Sequence, residues 1–342
     1  MLKRNLIISI ISILVISIGL AAAQDEAQCD EGFRLFEHAA GETCIPENPE
    51  RIVTLTDQNG LLPLLELGVR PVGSAGRLIE EDNTTVFRRV EGYDTEGIVG
   101  VGDFLAPNIE AILELEPDLI VGYEFNDSEI YDELSAIAPT VYIQIFNRPL
   151  DEALMDFAEL VGETETAEEL AEAYDERVEA LLGELGDDAD NITVSVITPA
   201  GNAGEFWNAA DGQALGTVMD DLDFNRPEPE TVEQEAPYSI ETLNLHEADV
   251  MLIVDFSGDL INDPIVQEFI ESSLFGTLDV AQAEQVYVID GSQSVGAAWG
   301  KMNVFLDALE EILLDPDLNI DIVEEPEVEA NPEIDTTEEA DS

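Results

Sequence analysis

Positive charge is what this sequence has least of: 12 Lys and Arg stand against 77 Asp and Glu in 342 residues, a formal net charge of −65. Binding nucleic acid by phosphate neutralisation needs clustered Lys and Arg to displace counterions, so that class is excluded. An anionic membrane surface is disfavoured for the same reason. Histidine is nearly as scarce, with only His38 and His246, and His246-Glu247 lacks the second histidine four residues on that a zinc-protease helix uses. Other enzyme signatures fail on spacing. Gly291-Ser292-Gln293-Ser294-Val295-Gly296 misses the nucleophile elbow by one residue. Gly100-Val101-Gly102 is followed by Leu105 where a dinucleotide fold wants glycine, and Gly300-Lys301-Met302 has no hydroxyl after the lysine of a phosphate loop. Nothing in the spacing of the many carboxylates selects an acid/base pair, so the chain reads as a non-enzyme.

What is present is enough apolar residue, 45%, to bury a large core, unlike a disordered acidic chain. At this length two domains or lobes are expected. Residues 1–23 carry Lys3 and Arg4, an apolar stretch from Leu6 to Leu20, and Ala21-Ala22-Ala23. That pattern is a signal peptide, with cleavage expected after Ala23; its alternative is a membrane anchor. Residues 316–342 hold eleven Asp or Glu, three prolines and no basic residue, and read as a disordered acidic tail. Residues 24–315 still carry about −56.

The only cysteines, Cys29 and Cys44, fall in the N-terminal segment 24–48. In an oxidising compartment the pair most simply forms one disulfide, closing a 16-residue loop and stabilising the fold by roughly 3 kcal/mol. Lipid attachment at Cys29 is the rival reading, but Asp25, Glu26 and Gln28 stand where small apolar residues belong. A soluble protein exported to a periplasmic or extracellular compartment follows.

From Ile52 onward, short β-branched runs alternate with amphipathic segments: a strand at 52–55, a helix at 61–67, a strand starting at 70–73, then helix 109–115, strand 118–123, helix 129–137 and strand 140–145. A helical region follows Pro149, interrupted near Gly162 and restarted by a capping box at Thr166-Ala167-Glu168-Glu169. Alternation then resumes: strand 192–198, helix 212–222, helix 240–245, strand 250–255, helix 264–269, strand 286–290 and helix 302–314. The inferred fold is α/β, with lobes at 49–147 and 187–315 joined by a connecting helix over 148–186.

Four stretches are more specific. Pro49-Glu50-Arg51-Ile52 leads to Leu67-Gly68-Val69-Arg70-Pro71-Val72-Gly73. Pro107-Asn108-Ile109-Glu110 leads to Leu115-Glu116-Pro117-Asp118-Leu119-Ile120. Leu134-Ser135-Ala136-Ile137-Ala138-Pro139 comes next, and Ser239-Ile240-Glu241-Thr242-Leu243 stands in the second half, with Trp299 heading the last helix. Over residues 49–312 this resembles the periplasmic substrate-binding proteins of ABC importers for ferric siderophores and vitamin B12. The resemblance implies two Rossmann-like lobes bridged by one long helix, with the ligand in the cleft between them. It further implies that Glu110 and Glu241, one per lobe, dock onto arginines of an ABC transporter permease, through which alone the protein would meet the membrane. The ligand would be an iron(III)-siderophore complex, with no resident cofactor and a monomeric chain.

Open α/β sheets bind ligands at the carboxyl ends of their strands. The ligand-binding candidates there are Gln58, Arg77, Phe104 and Tyr123 in the first lobe, and Phe206, Trp207 and Trp299 in the second. Arg77 stands out in so acidic a chain, because a guanidinium holds a carboxylate, hydroxamate or catecholate oxygen in a fork. The tryptophans offer flat amphipathic faces. Cobalamin and haem are alternative ligands, the latter because Tyr123 resembles an axial ligand. A chelatase-like enzyme on a similar two-lobed fold, or a sensor without a permease, are alternatives of other classes.

Overall fold

The structure is a computed structural model, and it describes residues 29–315 apart from 127–128, 147, 211–212, 233 and 258. The expected signal segment and acidic tail lie outside the described residues. Among the described residues no helix is long and apolar enough to cross a membrane.

The described residues open with a hairpin that the sequence reading lacks. Strands β1 (Phe33–His38) and β2 (Gly41–Pro46) pair antiparallel, and a disulfide joins Cys29 to Cys44. The hairpin buries Phe36 and Ile45 in the main core. His38 Nδ1 accepts the Tyr142 amide at 3.2 Å, while the Ala39 amide donates to the Tyr142 carbonyl at 2.8 Å. The N-terminal segment is therefore part of the first lobe.

That lobe runs β3 (Ile52–Thr54), α1 (Leu62–Glu66), β4 (Gly73–Ile79), β5 (Thr84–Val86), β6 (Val99–Asp103), β7 (Ala106–Pro107), α2 (Ile109–Glu114), β8 (Leu119–Tyr123), α3 (Tyr131–Ser135) and β9 (Thr140–Ile143). Its sheet order is β7-β6-β4-β3-β8-β9, with β5 antiparallel on β4. Strands β6, β4, β3, β8 and β9 are parallel. The winding goes out from β3 through β4 to β6, then restarts on the other side with β8. The reversal between β3 and β8 is a topological switch point, where chain ends diverge and leave a crevice.

The connecting region over 148–186 is two helices, α4 (Leu150–Val161) and α5 (Thr164–Leu185), broken at Gly162 where the sequence interrupts the helical pattern. Gly162 ends α4 at φ +81°, a left-handed conformation that costs glycine little. The expected capping box is not the start of α5, which begins two residues earlier. Thr166 Oγ1 bonds Glu163 Oε2 at 3.2 Å instead of a backbone amide. Helix α4 turns Leu150, Ala153, Leu154, Phe157, Ala158 and Leu160 inward, each large side chain contributing about 1.5–3 kcal/mol of burial.

The second lobe comprises β10 (Val194–Pro199), β11 (Glu205–Asn208), α6 (Gln213–Leu222), β12 (Tyr238–Ser239), β13 (Val250–Asp255), α7 (Pro264–Ile270), α8 (Asp279–Gln282), β14 (Val286–Asp290) and α9 (Trp299–Leu313). Its sheet order is β12-β11-β10-β13-β14, with β10, β13 and β14 parallel and β11 and β12 antiparallel. The expected helix at 240–245 is a 3₁₀ run over Ile240–His246.

One core cluster spans both lobes, from Ile52, Val121 and Val141 through Phe157, Tyr174 and Val178 to Val194, Val250, Trp299 and Met302. Separate clusters cover the other face of each sheet. Arg177 on α5 adds a polar tie to α9, donating to Asn303 Oδ1, Asp307 Oδ1 and Glu310 Oε2.

Candidate functional site

The chain leaves β3 at the switch point through Asp57, whose side chain is fully buried. Its carboxylate takes Arg88 in a fork: Nη2 reaches Oδ1 at 2.6 Å, Nε reaches Oδ2 at 3.0 Å, and the Arg88 amide reaches Oδ2 at 2.6 Å. The guanidinium lies flat over Phe104, with Cζ 3.7 Å from the ring centroid. Charge pairing and cation–π attraction thus fix one wall of the crevice. Past β8, Tyr123 meets Phe125 edge-on at 5.9 Å, and Phe125 contacts Phe146 at 4.9 Å while remaining 63% exposed. Burial, with Glu124 beside it, pushes the Tyr123 phenol up, so it is a neutral hydroxyl at ordinary pH.

The lobes meet at the same edge. Arg89, held at φ +56°, donates from Nη1 to the Ser292 carbonyl and from Nη2 to the Phe256 carbonyl at 3.3 Å. The Ala297 amide returns a bond to the Gln58 carbonyl at 3.0 Å. Gly296, at φ +125°, is required there because a Cβ would stand 2.9 Å from Leu62 Cδ1 and 3.1 Å from the Gln58 carbonyl oxygen. Helix α9 has Ala298 at its N-cap and no side-chain cap of its own. Glu66 of α1 supplies one from the opposite lobe, accepting the Trp299 and Gly300 amides at 2.7 and 2.8 Å and the Tyr93 hydroxyl at 2.7 Å. Burial raises the Glu66 carboxyl above its ordinary range, against the pull of those donors and of Lys301.

On the second lobe a cavity of about 340 Å³ opens at the carboxyl ends of β10 and β13, walled by Thr198, Gly201, Trp207, Asp255, Phe256 and Ser257 among others. Phe256 belongs to this wall and also receives Arg89, so the cavity adjoins the seam between the lobes.

Of the expected ligand contacts, Phe104 and Tyr123 fall beside the Asp57–Arg88 pair, while Arg77 is exposed on β4. Arg77 lies on β4 opposite Val86 of β5, and the neighbouring Gly76 carbonyl accepts the Phe104 amide at 2.7 Å. Gln58 is half-buried and enters the seam through its backbone. Trp207 is 37% exposed and lines the second-lobe cavity. Two expectations are overturned. Phe206 is fully buried, packed against Tyr238, His246 and Phe269, because the alternation of β11 turns it inward and Trp207 outward. Trp299 is 1% exposed, because the first turn of α9 is docked onto α1 through Glu66.

Residues that sequence reasoning missed are Asp57, Arg88, Arg89, Phe125 and Phe256. The adjacent Arg88-Arg89 pair was the available signal, since two neighbouring arginines are conspicuous in so acidic a chain.

Glu110 is exposed in the first turn of α2, behind the Asn108 cap whose Oδ1 accepts the Ala111 amide at 3.1 Å. Glu241 is exposed behind Ser239, whose Oγ accepts the Glu241 amide at 3.3 Å. Among the described residues no group of three His, Cys, Asp or Glu side chains is arranged to hold a metal ion.

Two α/β lobes meeting over a crevice at their strand ends, with loops of both at its edge, have the architecture of a bilobal binding protein. The sequence profile of the periplasmic binding protein family matches residues 57–292, and the chain belongs to that family. It is 30% identical over 293 residues to the probable siderophore-binding lipoprotein YfiY of Bacillus subtilis (strain 168), covering 82% of this chain and 88% of that protein. The ferric-anguibactin-binding protein FatB of Vibrio anguillarum is 26% identical over 68% of this chain and 71% of its own length. Among solved structures, Staphylococcus aureus SirA complexed with staphyloferrin B superposes with a TM-score of 0.67 at 26% identity, over 82% of this chain and 98% of that one.

Proposed function

We propose that this protein is a non-catalytic extracytoplasmic binding protein that captures a ferric siderophore between its lobes and delivers it to an ABC transporter permease. The observation that supports the reading is the crevice at the seam of the lobes, where Arg88 lies over Phe104 near Tyr123 and Arg89 reaches Phe256, which also walls the second-lobe cavity lined by Trp207. Cationic, aromatic and hydroxyl groups together suit a polar chelate with organic arms. The relatives support the ligand class, since YfiY, FatB and SirA are each named or titled for a siderophore.

Cross-lobe bonds from Arg89 and Glu66 and the shared core favour modest closure over wide hinge opening. Glu110 and Glu241 are the docking residues in this reading: each is exposed and follows a polar cap, so its carboxylate is available to a permease arginine. In this reading the protein is exported through a cleaved signal peptide and works outside the cytoplasm as a soluble monomer, with Cys29 held in its disulfide.

Tryptophan fluorescence tests the reading. Ferric siderophores are expected to quench Trp207 and leave Trp299 unaffected, so Trp207→Phe removes most of the response. Silence towards a panel of ferric siderophores, with cobalamin and haem also tried, refutes it.

A further inference from the structure

Each main sheet ends on one side in a parallel strand, but the two edges are finished differently. In the first lobe the edge strand β9 is covered by the N-terminal hairpin: the Tyr142 carbonyl accepts the Ala39 amide, and the Tyr142 amide donates to His38 Nδ1. In the second lobe β14 pairs with β13 and, among the described residues, has no strand on its other side. Val286, Tyr287 and Val288 are only half-buried there, whereas all six residues of β13 are buried. A groove of about 470 Å³ runs between β14 and α9, walled by Val286, Tyr287, Val288, Ile289, Ala308 and Ile312 among others. An apolar edge left open invites pairing with another chain, and native proteins cover such edges.

The chain itself is delivered to this groove. Ile312 lies in the last turn of α9 and lines the groove together with Val286, which opens β14. Asp315 stands close enough to Tyr287 that its carboxylate adds to burial in pushing that phenol up. From Asp315 to Leu318 is three peptide steps, a reach of about 10 Å. The residues that follow are Leu318-Asn319-Ile320-Asp321-Ile322-Val323, in which apolar and polar side chains alternate as in an extended segment with one apolar edge. Of the six large aliphatic residues in 316–342, four fall in this stretch, the others being Val328 and Ile334. Nine of the eleven acids come after it. The composition that makes 316–342 read as a disordered tail is therefore that of 324–342.

We propose that residues 318–322 of the same chain lie extended along the groove between β14 and α9, with Leu318, Ile320 and Ile322 turned into it and Asn319 and Asp321 facing water. Side chains, not sheet pairing, hold the segment. Helices α7 and α8 pack on one face of the second-lobe sheet and α9 on the other. A further parallel strand reached through α9 would therefore make a left-handed crossover, against the near-universal hand. Glu311 lines the groove and the segment carries Asp321, so charge opposes the contact, and added salt strengthens it by screening. Helix α9 separates this corner from Trp299 at the seam by about 22 Å, which makes the inference independent of the siderophore reading.

The experiment measures the reactivity of a single introduced thiol in the full chain with a maleimide. The natural cysteines are joined to each other, so the introduced thiol is the one that reacts. Each rate is referred to that of the same thiol in denaturant. Ile320→Cys is expected to react at least about tenfold more slowly than Ile334→Cys at low salt, and to be protected equally or better at high salt. Adding Leu318→Ser with Ile322→Ser, or separately Ala308→Gln, which intrudes into the groove from α9, returns Ile320→Cys to the Ile334→Cys rate, with thermal melting confirming that the body stays folded. Equal rates for the two thiols at the outset, a loss of protection with salt, or protection that survives either set of substitutions overturns the inference. Protection that disappears on dilution identifies a second copy of the chain as the occupant and overturns it too.

Discussion

Replacing Asp57 with Asn keeps the shape of the side chain and an acceptor for the Gln58 amide, but removes the charge that Arg88 was folded against. The Asp57 side chain is completely buried and that of Arg88 is 18% exposed. Breaking a buried pair by removing one member costs about 3–5 kcal/mol, because the remaining charge is left desolvated. The residual exposure of Arg88 and its contact with the Phe104 face offset part of this, so the lower end applies, about 3 kcal/mol. In a protein of this size that lowers the melting temperature by roughly 6–12 °C. The assay is urea or thermal unfolding of a double-mutant cycle with Arg88→Met. The double variant should cost less than the two singles together, leaving a coupling of about 2 kcal/mol. A coupling below about 0.5 kcal/mol refutes the view that this pair anchors the crevice wall.

Three further outcomes are expected. The raised Glu66 carboxyl holds its proton more readily in the folded state, so its contribution is present below its unfolded value and lost as pH rises through the folded one. The melting temperature of wild type relative to Glu66→Gln should therefore fall as pH rises through and above the ordinary carboxylate range, and parallel profiles contradict the assignment. Replacing Cys29 and Cys44 together with Ser should lower stability by roughly 3 kcal/mol in chemical denaturation; a loss under about 1 kcal/mol shows that the hairpin packing on β9 suffices without the bond. Reversing both Glu110 and Glu241 to Lys should abolish ferric-siderophore uptake while leaving ligand affinity unchanged, and impaired affinity argues against a docking role.

Periodicity and turn chemistry carried much of the fold. Strand 118–123 is legible because Leu119, Ile120 and Val121 form an unbroken apolar run after the Pro117-Asp118 turn, and the structure buries all three completely. The hairpin β1–β2 was not legible: its six-residue strands carry no unbroken apolar run and its core contribution rests on Phe36 and Ile45 alone. The antiparallel strands β5, β7, β11 and β12 escaped notice because they are only two to four residues long. Gly162 correctly marked a break, but Thr166 misled, because a capping-box pattern also satisfies a helix that has already begun.

For the site, sequence alone determined the class of side chain to look for: scarce cations and tryptophans at strand ends, with a resemblance to suggest why. It could not decide which of them face the crevice. Phe206 and Trp207 are adjacent, and only the pleat of β11 sends one inward and the other outward. Trp299 heads a helix as expected, yet Glu66 from the opposite lobe draws that helix end into the core. Composition is a property of the chain and was fixed by it. Which arginine is free is a property of partners: Arg88 meets Asp57 across 31 positions and Arg89 meets Ser292 across 203. Contacts at such separations exist only once the chain has folded, so the tertiary structure alone decided how these arginines are engaged.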